Sequence, residues 1–189
     1  MKINERGYWE NPTQEGHGVD LGLARGLVQF FNKVESSSVI DIGCGNGFYT
    51  NYLLEHDIFC RGYDGNPFTK EITDGLCSVA DFSKPVRLGL YDWVLSLEVG
   101  EHIPVEYEDV FVDNLKQHAY SGIVLSWSIP EYGGDGHVNP RNNDYIINKM
   151  KPFVYNRKYT TFLRDFPANY PNPCYWFKET LMVFVAEDR

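Results

Sequence analysis

The chain has 189 residues, 43% of them hydrophobic and 23% charged, with a formal net charge of −9. That length suits one compact domain with a real core, and the composition excludes a disordered chain. The negative balance argues against a protein whose main task is to hold polyanionic nucleic acid, which requires Lys and Arg against phosphates.

In chain order, the segment from Asp20 to Lys33 places Leu23, Leu27, Phe30 and Phe31 on one helical face. Val39 to Ile42 reads as a short strand, and Phe48 to Glu55 as the helix that leaves a glycine turn. Ile58 to Tyr63 reads as a second strand, Cys77 to Ala80 as a weak third, and Tyr91 to Leu97 as a fourth. A helix is expected over Tyr107 to Tyr120, a fifth strand over Gly122 to Ile129, and a capped helix over Asn143 to Lys151. Phe153 to Tyr155 and Leu181 to Ala186 would close the sheet.

Nearly apolar strands alternating with helices predict an α/β fold with a mostly parallel sheet covered on both faces. A single domain over 1–189 is expected, with 1–35 as an N-terminal cap segment and helix, and 36–189 as a cofactor-binding core with substrate loops. Ligands of such sheets sit beyond the carboxyl ends of the strands. Four acids, Asp41, Asp64, Asp81 and Glu98, stand at or near strand ends and would line one rim. Each has a plainer reading as a turn or helix cap.

The four cysteines, Cys44, Cys60, Cys77 and Cys174, have no CxxC spacing, so free buried thiols and a reducing compartment are expected. No apolar run reaches membrane-spanning length, and the residues after Met1 do not form a signal-peptide core. The expected location is the cytoplasm, with no membrane partner.

The run Gly43-Cys44-Gly45-Asn46-Gly47-Phe48 departs from the dinucleotide fingerprint, because Phe48 stands where the third glycine packs helix against strand. Asp64 lies 21 residues after Gly43, the distance at which a carboxylate accepts from ribose hydroxyls. The turn therefore suits a nucleoside with little or no pyrophosphate.

The motifs DIGCGNG at Asp41 to Gly47, GYDGNP at Gly62 to Pro67, VADFSKP at Val79 to Pro85 and LSLEVGEHIP at Leu95 to Pro104 are similar to those of class I S-adenosylmethionine-dependent methyltransferases of the ubiquinone-biosynthesis (type 11) group. The resemblance implies a Rossmann-like, seven-stranded sheet whose last strand is antiparallel. It implies that the backbone of Gly43, Cys44 and Gly45 approaches the cofactor's methionine part, with Asp41 and Glu98 beside it. Asp64, with Gly65 and Asn66, would hold the ribose, and Asp81 and Phe82 the adenine.

Glu98, Glu101 and His102 would share a face if a helical turn followed the fourth strand. The triplet resembles the E-x-x-E-H of ubiquinone-biosynthesis O-methyltransferases and small-RNA 2′-O-methyltransferases, which bind a divalent metal together with a later histidine. Here that histidine would be His137, in the loop GGDGHVN. A metal such as Mg²⁺ or Mn²⁺ would orient an acceptor hydroxyl and lower its pKa. The alternatives are a loop-supporting role for the run, or His137 as a lone general base. His17, in an aromatic N-terminal segment with Tyr8 and Trp9, would touch cofactor or acceptor; the alternative is a surface segment held by its aromatics.

Together these readings predict an S-adenosylmethionine-dependent methyltransferase acting on a hydroxyl of a small molecule, with a sugar or other polyhydroxylated acceptor favoured. Catalytic candidates are His137, Glu98, His102 and His17. The rivals are an RNA or protein methyltransferase and a non-catalytic cofactor-binding activator subunit.

Overall fold

The computed structural model describes residues 3–10, 17–167 and 174–187. The expectation on residues 11–16 of the N-terminal segment lies outside these.

A seven-stranded sheet has the order β3-β2-β1-β4-β5-β7-β6. Its strands are β1 (Val39–Ile42), β2 (Cys60–Asp64), β3 (Ser78–Val79), β4 (Tyr91–Leu97), β5 (Ala119–Ser126), β6 (Val154–Tyr155) and β7 (Leu181–Val185). The ladders from β3 through β5 are parallel, whereas β7 runs antiparallel to both β5 and β6. The order reverses at β1, whose neighbours β2 and β4 lead away in opposite directions. That is the switch point at which open α/β sheets form a ligand crevice.

Alternation along the strands sends side chains to two cores. Val39, Trp93 and Leu95 pack with Leu23, Leu27 and Phe30 of helix α1 (Leu21–Lys33), and with Leu163 of α6 (Arg157–Arg164). Ile40, Ile42 and Val94 pack on the other face with Phe111 and Leu115 of α4 (Glu108–His118), and with Ile146 of α5 (Asn143–Lys149). Burial on both faces is why these strands read as continuous apolar runs. The α1 helix starts where Asp20 accepts from the Leu23 amide at 2.8 Å.

Helix α2 (Phe48–Leu54) leaves the glycine turn, and two further short helices are α3 (Thr69–Ile72) and α7 (Phe177–Thr180). The sequence reading gave no sign of α3 or α6. The α6 segment contains paired threonines and aromatics, weak helix formers, and it is held by an Asn156 cap that accepts from the Tyr159 amide at 3.0 Å. Strand β5 begins and ends three residues before its expected span, and Trp127 falls in the loop that follows. All four cysteines are free and buried. No helix among the described residues is long and apolar enough to cross a membrane.

Candidate functional site

The turn after β1 is built by three glycines with left-handed backbone, at φ of 80° for Gly43, 55° for Gly45 and 76° for Gly47. Close approach adds a second reason for glycine. A Cβ on Gly43 would stand 2.3 Å from Val99 Cγ2, and one on Gly45 would stand 2.6 Å from His17 Nδ1.

Five of the six amides from Gly43 to Phe48 are engaged within the protein. Those of Gly43 and Cys44 donate to the Tyr63 carbonyl at 2.8 and 3.0 Å, and that of Gly47 to the Cys44 carbonyl at 2.9 Å. The Gly45 amide donates to Asp64 Oδ2 at 2.9 Å, and the Phe48 amide, at the start of α2, donates to Asn46 Oδ1 at 3.1 Å. A pyrophosphate site needs such donors free at the helix N-terminus. Here the turn offers only close approach, in keeping with the departure at Phe48.

One cavity of about 600 Å³ is lined by all four rim acids, Asp41, Asp64, Asp81 and Glu98, and by Gly43, Cys44, Gly45, Gly65, Asn66 and Phe82. Asp41 is buried and accepts from the Thr50 hydroxyl at 2.7 Å, and burial pushes its pKa up to about 7. Asp64 presents Oδ1 to the Asn66 amide at 2.8 Å. Asp81 accepts from the amide and hydroxyl of Ser83 at 3.0 and 2.5 Å and pairs with Lys84 at 3.2 Å. Burial alone would raise its pKa, but the Ser83 and Lys84 contacts outweigh that and hold it low. Asn66 is itself buried, with its side chain turned to the Phe68 amide at 3.0 Å. The Cys44 thiol contacts the Cys77 thiol.

Beyond β4 the chain does not form the α-helical turn that would align Glu98, Glu101 and His102. Glu98 takes a left-handed φ of 53°, and a 3-10 turn covers only Gly100–His102. Glu98 instead accepts from the Thr180 hydroxyl at 3.1 Å, and burial raises its pKa. Glu101, His102 and His137 converge, with one ligand atom from each lying within 4.8 Å of the others. Glu98 is not one of the three, but its carboxyl lies against that of Glu101 and raises its pKa.

Glu101 is fully buried, and among the described residues neither carboxylate oxygen has a hydrogen-bond partner. Burial first, and Glu98 second, push its pKa well above the usual carboxylate range. His137 Nε2 stands 4.0 Å from Glu101 Oε1. The His102 Nδ1–H donates to the Gly136 carbonyl at 3.2 Å, which leaves Nε2 with its lone pair. Burial and the neighbouring His137 hold the His102 pKa down at about 4, and burial lowers that of His137. Two neutral imidazoles beside an unpaired buried carboxylate form a donor set that fits a divalent cation.

The His137 loop is fixed by contacts that no local pattern announces. The amides of Val138 and Asn139 both donate to the Glu101 carbonyl, at 2.9 and 2.8 Å. The Trp127 indole donates to the Asn139 carbonyl at 2.8 Å. Glu108, buried in the first turn of α4, accepts from Asn139 Nδ2 at 2.9 Å, Arg141 Nε at 2.8 Å and Lys149 Nζ at 3.0 Å. Sequence reading passed over Glu108 and Asn139, because an acid at a helix start and an asparagine in a loop look ordinary.

The described N-terminal residues lie across the cavity as a small hairpin, closed by an Ile3–Trp9 bridge. Arg6 reaches Asp81 at 3.5 Å. The Tyr8 ring covers Gly65, with Cδ1 2.9 Å from where a Cβ would stand. Trp9 sits between two histidines, tilted over His17 with ring centroids 5.0 Å apart and edge-on to His102 at 5.7 Å. Asp20, by contrast, is used structurally as the α1 cap and accepts from the Cys174 amide at 3.1 Å.

No protein-family model matches the sequence. Among solved structures, the chain is similar to a sugar N-methyltransferase from Streptoalloteichus, with a TM-score of 0.66 and 12% identity over 100% of this chain and 99% of that one. It is similar to a magnesium protoporphyrin IX methyltransferase from Synechocystis with bound S-adenosylmethionine, with a TM-score of 0.62 and 15% identity over 92% and 88%. A third similar structure is the N-methyltransferase NodS from Bradyrhizobium japonicum in complex with S-adenosylhomocysteine, with a TM-score of 0.58 and 16% identity over 88% and 86%. The fold of this chain is therefore that of the class I S-adenosylmethionine-dependent methyltransferases, with the expected seven strands and reversed β7.

Proposed function

We propose that the protein is an S-adenosylmethionine-dependent methyltransferase that methylates a hydroxyl of a small, polyhydroxylated acceptor with the help of a divalent metal. The observation that carries this reading is the buried Glu101 carboxyl, without a hydrogen-bond partner among the described residues, beside His102 and His137, which line the same cavity as the cofactor-type rim acids. Methyl transfer as such is supported by three of the similar structures, which are named as methyltransferases, two of them N-methyltransferases and one of these for a sugar.

The cofactor supplies a methyl group on a sulfonium. Gly43 and Gly45 would let it approach the backbone, Asp64 would accept from the ribose hydroxyls, and Asp81 would accept from the adenine amino group. Glu101, His102 and His137 would hold the metal, which when bound would supply Lewis-acid help to the acceptor hydroxyl. His102 keeps its lone pair because Gly136 takes the Nδ1 proton. Residues of the hairpin and of the His137 loop line the cavity.

The test is transfer of labelled methyl from the cofactor to a panel of sugars, catechols, small RNAs and proteins, with and without chelator. Chelator-sensitive transfer to a small polyol supports the reading. Transfer only to RNA or protein moves it to the rival acceptors, and binding of cofactor with transfer to nothing favours an activator subunit.

A further inference from the structure

Cys44 and Cys77 are buried free thiols in contact with each other, and the chemistry proposed above uses neither. Cys44 stands inside the glycine turn, and Cys77 immediately precedes β3. Gly62 of β2 makes their meeting possible. A Cβ built there would fall 2.5 Å from Cys77 Sγ and 3.1 Å from Cys44 Cβ, so a side chain at this position would take the space the two cysteines share. Cys77 Sγ also lies 3.2 Å from a Cβ built on Gly47, at the end of the same turn.

Of the four cysteines, only Cys44 is among the residues that line the cavity. It is 7% exposed, against 1% for Cys77, so a small oxidant coming through the cleft meets Cys44 first. The hydrogen bond between the two thiols raises the pKa of Cys44 and lowers that of Cys77. The Cys44 S–H therefore donates to the Cys77 sulfur, and Cys77 is the proton acceptor of the pair.

We infer that Cys44 and Cys77 form an oxidative modification site, which a hydroperoxide converts into a reversible disulfide that shifts the glycine turn. Cys44 passes its proton to Cys77, and its sulfur attacks one peroxide oxygen. The O–O bond breaks, hydroxide leaves, and Cys44 becomes a sulfenic acid. The Cys77 sulfur then attacks the Cys44 sulfur. The S–S bond forms, the S–O bond breaks, and the oxygen leaves as water with the proton from Cys77. The two sulfurs give up two electrons in all, which reduce the peroxide. To bond, sulfurs in contact must close to about 2 Å. That movement exceeds the roughly 0.5 Å within which a binding site has to hold its groups. Resting on the cofactor reading above, the oxidised turn binds cofactor more weakly.

The test treats the whole protein with hydrogen peroxide and reads its intact mass and its linked peptides. Wild type should lose the mass of two hydrogens and yield peptides joined through Cys44 and Cys77, with dithiothreitol reversing both. Cys60 shares a tryptic peptide with Cys44, so Cys60→Ser is treated in parallel and should form the same bond. Cys77→Ser should form none, and its Cys44 should go on to the sulfinic acid. Affinity for S-adenosylhomocysteine in calorimetry should fall about tenfold on oxidation and return on reduction. Four free thiols after peroxide, a bond through Cys60, or a Cys44–Cys77 bond that leaves the affinity unchanged would overturn the inference. The peptide map is read on wild type, so it decides even where a variant does not fold. Reduced protein that forms the bond on oxidation yet never binds S-adenosylhomocysteine would overturn the cofactor reading and leave the modification site standing.

Discussion

Glu101 and His137 come from the loops after β4 and β5 and meet at 4.0 Å, with the Glu101 carbonyl also bonded to the amides just after His137. One residue thus anchors the loop by its backbone and faces the loop's imidazole by its side chain. The pairing makes the metal reading testable at both ends. Chelator should reduce turnover at least about 100-fold, with Mn²⁺ or Mg²⁺ restoring it, the size expected when acid–base or Lewis-acid help is lost. Glu101→Gln and His137→Ala should do the same and should lose Mn²⁺ binding in calorimetry, while affinity for S-adenosylhomocysteine stays within about twofold. Chelator without effect, beside an inactive His137→Ala, would leave His137 as a lone base.

Asp64 holds the turn as well as facing the cleft, since it accepts from Gly45 and Asn66. Asp64→Ala should therefore weaken S-adenosylhomocysteine binding by about 2–4 kcal/mol through lost charge-assisted bonds, and should also lower Tm. NAD should not bind the wild type detectably, because the turn's amides are already engaged. Calorimetry with NAD binding tighter than S-adenosylhomocysteine would contradict this.

Asp81 pairs with partly exposed Arg6 and Lys84, contacts of small worth for stability. Asp81→Ala should keep a native circular dichroism spectrum and lose about tenfold in cofactor affinity, since the adenine amino group loses its acceptor. A variant that is unfolded would show that the Ser83 turn, and not the ligand, is what Asp81 serves.

Glu108 is a stability determinant with a defined pH signature. Burial alone would raise its pKa, but bonds from Tyr145, Asn139, Lys149 and Arg141 bring it from 4.5 down to about 2. A depressed carboxylate stabilises the fold above its unfolded pKa and loses that contribution as pH falls through the folded value. Wild-type stability should therefore fall between about pH 4.5 and pH 2, by about 3 kcal/mol from this residue. Glu108→Gln should be less stable at pH 7 and show a flatter decline over that window in urea unfolding. An unchanged slope would mean that Glu108 does not set acid stability.

Gly100 touches the largest fully buried side chain, since a Cβ there would fall 2.2 Å from Trp127 Cε3. Gly100→Ala should destabilise by about 1–3 kcal/mol through overpacking, read as a lower urea midpoint. Because Trp127 holds the Asn139 carbonyl, the same change should also weaken Mn²⁺ binding. Full stability in Gly100→Ala would show that Trp127 can move aside.

Local pattern determined the order of β1 to β5, the glycine turn, the lack of a dinucleotide form, and the reversed last strand by way of a family resemblance. Apolar runs and left-handed glycines are properties of a few neighbouring residues, so they are legible without a fold. The convergence on the rim was legible only in outline. That Glu101, His102 and His137 meet while Glu98 turns to Thr180 depends on a 3-10 turn and a left-handed φ at Glu98, neither of which has a sequence period. The Glu108 buttress, the hairpin that lays Arg6 on Asp81 and Tyr8 on Gly65, and the stacking of His17 on Gly45 join segments far apart in the chain. Such contacts are fixed by which loops the sheet brings together, and only the tertiary structure decided them.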